Sequence, residues 1–171
     1  MEKQNSAHQL VIASLTEALL ILMENKKLSD ISVSELCEKA GVSRISFYRN
    51  YDYISDILTD YLSKDLENWW REKSAISSDP QDFWNELFPR LKRNEKIIRL
   101  IYRSNASYVI RDLIFNSCGP KLSHSEKEAY ARAMLAGTIY GYTDEWIRRG
   151  MKEYPEYLSL QNLIDTLKTA I

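Results

Sequence analysis

Apolar residues recur at helical spacing along almost the whole chain, and no segment alternates as a half-buried strand would. Over residues 7–25, Leu15, Ala18, Leu19 and Leu22 follow an i, i+3, i+4, i+7 pattern, with Leu10 and Val11 one turn earlier. "NKKLSDI" breaks that pattern. Ser32 then opens a second helix through the box Ser32–Glu35, in which each side chain can satisfy the other's exposed backbone donor. Val33, Leu36, Cys37 and Ala40 form its apolar stripe. Gly41 supplies the positive φ that ends this helix, and Val42 plugs the turn. Ser43 caps a short third helix over residues 44–50, which buries Phe47 and then Tyr51 one turn on. Asp52 is placed to cap a fourth helix over 53–73, with Ile54, Ile57, Leu58, Tyr61, Leu62 and Leu66 as its apolar side.

"SAISSDP" (74–80) reads as a linker, with Asp79 as cap and Pro80 at the first helical position of the next element. That helix carries Phe83, Trp84, Leu87 and Leu91, and Pro89 within it predicts a kink or an early end. Residues 95–103 and 105–117 predict two further helices, closed by Gly119–Pro120. Ser123–Glu126 forms a second capping box, opening a long helix to Gly150 with Arg148 and Arg149 in the last turn, where cations complement the dipole. Leu160, Leu163, Ile164, Leu167 and Ile171 define a terminal amphipathic helix. The fold class read from the pattern is all-α.

Composition adds exclusions. Apolar residues make up 44% and charged residues 27%, the mixture of a soluble globular chain. Net charge is −1, so bulk electrostatics announces no nucleic acid. The first 51 residues do not change this: Lys3, Lys26, Lys27, Lys39, Arg44 and Arg49 are balanced by Glu2, Glu17, Glu24, Asp30, Glu35 and Glu38. Any nucleic-acid contact must come from placement.

Cys37 and Cys118 fit no metal spacing and read as small hydrophobes in a reducing compartment, so no metal or cofactor is expected. The run "LTEALLILM" is interrupted by Glu17 and reads as too short to span a bilayer. Acidic Glu2 and polar Gln4, Asn5 and Ser6 are unlike a signal peptide. A cytoplasmic protein without membrane contact is expected. Enzymatic chemistry is not: Asp144 and Glu145 are adjacent on a helix and point in different directions, and His124 has no evident nucleophile.

The stretch "VSELCEKAGVSRISFYRNY" (33–51) is different. Two short helices around a glycine turn have the layout of a helix-turn-helix, spanning about 32–51. Once Val33, Leu36, Ala40, Val42 and Phe47 are buried, the other side chains of 43–50 must face outward. Arg44 can make paired bonds to a guanine edge or grip a phosphate. Ser43, Ser46 and Tyr48 can donate to phosphate oxygens, and Ile45 offers an apolar surface to a thymine methyl. Helix amino ends attract phosphate, which gives Ser32, Ser34 and Ser43 a second role.

With "ISVSELCEKAGVSRISFYRNY" followed by "ISDILTDYL", the first 65 or so residues resemble the N-terminal domain of TetR-family transcriptional regulators. Val33, Ala40–Gly41–Val42–Ser43, Phe47–Tyr48 and Tyr51 carry the resemblance. Within the family, "NKKLSDISVSEL" looks most like a subgroup that includes activators of dihydroxyacetone-kinase operons.

The resemblance implies a helix-turn-helix domain at 1–52, joined by a long fourth helix to a helical effector-binding and dimerisation domain at 53–171. It implies that Ser32, Ser34, Ser43, Arg44, Ile45, Ser46, Tyr48, Arg49 and Asn50 contact double-stranded DNA. The family's usual lysine at the start of the fourth helix is Ile54 here, so either the phosphate grip comes from Tyr53 or Lys3, or DNA binding is weaker than is usual for the family. The expected action is repression, modulated by a small-molecule effector.

The stripe Ala129, Ala133, Gly137 and Gly141 would let another helix approach closely, while Leu135, Ile139, Tyr142 and Trp146 are left for the subunit's own core. Together with Leu160, Leu163, Ile164 and Leu167, it reads as a homodimer interface. Two recognition helices about 34–36 Å apart would then suit a near-palindromic operator. Trp69, Trp70, Trp84, Tyr102, Tyr108 and Tyr140 are candidate linings of an effector pocket. The rival reading is an interaction protein or co-activator of the same fold that acts through a protein partner.

Overall fold

A computed structural model describes residues 2–72 and 80–152, together with Asp165 and Lys168; side chains are described for 7–64, 66, 85–152 and those two. The linker reading at 74–79 and the terminal helix of Leu160, Leu163, Ile164, Leu167 and Ile171 lie outside the described residues. So do the side chains of Lys3, Trp69, Trp70 and Trp84.

The chain is all-α, with no strand among the described residues. Its elements are α1 (Glu2–Asn25), a 3-10 turn (Leu28–Asp30), α2 (Val33–Ala40), α3 (Arg44–Tyr48), α4 (Ile54–Glu72), α5 (Pro80–Arg93), α6 (Glu95–Arg103), α7 (Tyr108–Cys118) and α8 (Glu126–Arg148). Two compact units form, one from Met1–Lys64 and Lys96–Leu113, the other from Asp65–Glu95 and Ile114–Ile171.

In the first unit Leu15, Leu19, Met23, Leu36, Phe47, Ile57 and Leu58 are buried, as are Ile98, Ile101 and Ile110. By length and composition alone Ala7–Asn25 is long and apolar enough to cross a bilayer, which corrects the expectation of a run too short to do so. A core helix passes the same test, and here α1 buries Leu15, Ala18, Leu19 and Met23 in protein, compatible with a soluble chain. The last turn of α1 carries no basic residue of its own. Arg103 of α6 supplies the cation: its Nη2 donates to Met23 O at 2.8 Å and to Glu24 O at 2.6 Å. Lys96 adds an ion pair to Glu24 at 2.8 Å, which holds that carboxyl below its usual range.

In the second unit, Phe88 meets Trp146 edge-on with centroids 4.8 Å apart. α5 begins at Pro80 and continues past Pro89 to Arg93, so the proline does not end it. The cap of α8 is Ser125, not Ser123: its hydroxyl accepts from Glu128 N at 3.4 Å. Ser-x-x-Glu occurs in both registers, and the turn closed by Lys121 N donating to His124 Nδ1 at 2.9 Å selects the later one. α8 ends at Arg148, where Gly150 N and Met151 N donate back to Ile147 O and Trp146 O, each at 2.9 Å. Its buried side is Ala136, Ile139, Thr143, Trp146 and Ile147; Leu135, expected in the core, is exposed.

Candidate nucleic-acid interface

The turn between α2 and α3 is set by backbone chemistry. Gly41 sits at φ 66°, and its N–H donates to Glu38 O at 3.2 Å while Val42 N donates to Cys37 O at 3.0 Å. These two bonds close α2 in the paired arrangement that needs a left-handed residue. At the other end of α2, Ser32 Oγ accepts from Glu35 N at 3.1 Å. The reciprocal half of that box is not made. Glu35 Oε1 instead receives Lys26 Nζ at 2.5 Å, because an ammonium is the stronger partner for a carboxylate.

α3 is shorter than the expected 44–50, ending at Tyr48. Ser43 caps it, accepting from Ser46 N at 3.0 Å, and the two hydroxyls bond each other at 2.9 Å. Asn50 Nδ2 donates to Ser46 O at 2.7 Å and Tyr51 N to Phe47 O at 2.9 Å, which tightens the chain just after the helix. Phe47 is fully buried, with Tyr48 edge-on at 5.1 Å and Tyr51 at 6.2 Å. One inward aromatic on so short a helix fixes which side faces out.

That outer side holds Arg44, Ile45, Tyr48 and Arg49, all exposed: Ile45 at 72% and Tyr48 at 53%. Among the described residues, neither Arg44 nor Arg49 forms an ion pair or side-chain hydrogen bond. The arginines of α8 and its cap differ. Arg132 reaches Glu128 at 3.0 Å, Arg148 reaches Asp144 at 2.7 Å and Arg149 reaches Glu145 at 2.7 Å. Burial pushes the Cys37 thiol up, with the Arg44 charge working the other way. Ser32, Ser34 and Ser43 are exposed, and Ser46 and Asn50 are half-buried. Each serine hydroxyl keeps a donor or acceptor beyond its capping bond.

The start of α4 departs from expectation. Asp52 does not cap it; Asp56 Oδ2 reaches back to accept from Tyr53 N at 2.7 Å and Asp52 N at 3.2 Å. A carboxylate inside the first turn also faces the positive helix end. Tyr53 is left 71% exposed beside α3, and Ile54 is half-buried.

The other named residues are more scattered. Tyr102 is half-buried and Tyr108 exposed in the first unit, whereas Tyr140 is half-buried in the second. A groove of about 560 Å³ that periodicity did not point to lies between α1 and α4, lined by Ile12, Thr16, Leu20, Tyr61 and Lys64 among others. On α8, Ala129 and Ala133 are half-buried, while Gly137 and Gly141 are exposed, as are Tyr130 and Met134 on the same helix. A Cβ at either glycine would meet nothing within 4 Å.

No family model matches the chain, and no curated protein does. Among solved structures it is similar to Lin0861 from Listeria innocua, a crystal structure, with a TM-score of 0.66 and 19% identity over 95% of this chain and 89% of that one. At that identity the likeness shows the fold alone, an all-α chain.

Proposed function

We propose that the chain is a cytoplasmic, dimeric TetR-type regulator that binds double-stranded DNA through α3 and responds to a small-molecule effector. The observation that carries this reading is the outer side of α3. A buried Phe47 presents two unpaired guanidiniums, Arg44 and Arg49, together with Ile45 and Tyr48. A side chain with five fixed donors and no carboxylate partner is suited to guanine edges and phosphates. Ser32, Ser34 and Tyr53 flank that side as neutral phosphate donors.

Dimerisation through α8 is supported by the open face at Gly137 and Gly141 beside exposed Tyr130 and Met134. The effector assignment rests on the family resemblance. Repression is the expected mode.

The even balance of charge in the head, with apolar Ile45, Tyr48 and Tyr53 exposed, favours a second reading as a partner-binding protein of the same fold. Selection from a random pool of duplexes, followed by sequencing, separates the two. An enriched near-palindromic sequence supports the regulator. A pool that stays random through repeated rounds sinks DNA reading and leaves the partner-binding protein.

A further inference from the structure

Helix α1 is apolar enough over Ala7–Asn25 to cross a bilayer, yet only 28% of that span is buried in the protein. Leu15, Leu19 and Met23 account for one side of it. On another side, Ile12, Thr16 and Leu20 form one i, i+4 row and Gln9, Ala13 and Glu17 the next. Both rows line the groove of about 560 Å³ against α4, a volume in the range of sites for drug-sized molecules.

Small side chains make the room. Ala13 and Thr16 sit at the middle of the two rows, between Ile12 and Leu20, and α4 contributes Tyr61 and Lys64. Thr16 Oγ1 is spent on Ile12 O at 2.9 Å, so this part of the groove offers little to a polar ligand.

Charge decides what kind of molecule fits. Two charged side chains line the groove, Lys64 and Glu17. Lys64 Nζ is already neutralised by Asp60 Oδ2 at 3.0 Å. Glu17 is exposed and, among the described residues, forms no ion pair or hydrogen bond. An apolar trough with an uncompensated carboxylate and an aromatic ring attracts a cation and repels an anion.

We infer that this groove is a binding site for a small organic cation with an apolar or aromatic body. The body lies on Ile12, Ala13 and Leu20, and the charged head meets Glu17 and the ring of Tyr61. Binding here does not depend on contact between α3 and DNA.

The probe is phenylbutyl-trimethylammonium, titrated calorimetrically into the full chain, against the sulfonate with the same phenylbutyl tail. The expected result at low salt is about a tenfold preference for the cation, from one exposed ion pair and one cation–π contact. Glu17→Gln should reduce that preference to about threefold. Glu38→Gln, which removes an exposed carboxylate of α2 outside the groove, should leave it unchanged. Ala13→Trp fills the middle of the groove without changing charge and should abolish binding of both probes. Equal affinity for the two heads, a preference for the sulfonate, or a cation preference undiminished by Glu17→Gln overturns the inference. So does binding that Ala13→Trp leaves intact, which puts the site elsewhere. Absence of binding by either probe overturns it as well. If Ala13→Trp then shifts the sedimentation of the free chain, the groove is an interface between copies of it.

Discussion

The hydroxyl of Tyr51 donates to Asp60 Oδ2 at 2.8 Å, and the same oxygen receives Lys64 Nζ at 3.0 Å. Tyr51 also lies against Phe47, so this bond registers the chain leaving α3 on the flank of α4. The pose of the recognition side thus depends on one phenol and one carboxylate as well as on apolar packing.

Replacing Tyr51 by Phe is expected to cost roughly 1.5 kcal/mol of unfolding free energy, the low end for a hydrogen bond to a charged acceptor because Lys64 remains on Asp60. Burial first, and then the bond to Asp60, raise the Tyr51 hydroxyl above the ordinary tyrosine range. The folded chain therefore holds that proton more tightly than the unfolded chain. The contribution is complete below about pH 10, the unfolded value, and declines as pH rises above it. Urea unfolding at pH 8 and pH 11 checks this: the gap between wild type and Tyr51→Phe should narrow at the higher pH.

Gly41→Ala forces a Cβ into φ 66°. The expected loss is about 1–2 kcal/mol in urea unfolding. An unchanged midpoint would show that the turn relaxes to another conformation.

Arg44→Ala is expected to weaken binding to a selected duplex by about 1–3 kcal/mol and to relax preference at one base pair per half-site. Competition among single-base variants of that duplex reads this out. A uniform loss across all variants would make Arg44 a phosphate contact rather than a reader of bases.

Gly137→Leu adds a side chain to a face with no neighbouring atoms within 4 Å, so the subunit itself should fold unhindered. Circular dichroism should retain full helicity while sedimentation shifts to monomer. A dimer of undiminished strength would place the interface elsewhere.

Thr143 is fully buried, and among the described residues its hydroxyl finds no hydrogen-bond partner. Thr143→Val keeps the shape and removes the unmet group, with an expected gain of about 1–2 kcal/mol. A loss of stability would show that the hydroxyl is satisfied in solution.

The legible parts of the fold were those in which one residue has one physical solution. Only a left-handed residue ends α2 where Gly41 does, and only Phe47 can anchor so short a helix as α3. Caps were less legible because the signals recur. Ser123 and Ser125 both precede a glutamate by three, and Asp52 and Asp56 both lie near the start of α4. Helix phase failed at Leu135 because α8 carries apolar residues on most sides, so periodicity does not choose which side is buried. The groove at Thr16 and Tyr61 could not be read from either helix alone, since it exists only where α1 and α4 come together. For the candidate interface, spacing supplied the outward residues, whereas the internal bonds of Ser43, Ser46 and Asn50 needed coordinates.

The most direct test is a fluorescence-anisotropy titration of a labelled selected duplex against a scrambled duplex of equal composition, at about 50 and 200 mM salt. The account predicts saturable binding that prefers the selected sequence and weakens as salt rises. It further predicts that Arg44→Ala removes most of that preference. Equal binding of both duplexes, or none at either salt concentration, would contradict the claim that α3 lies along base edges.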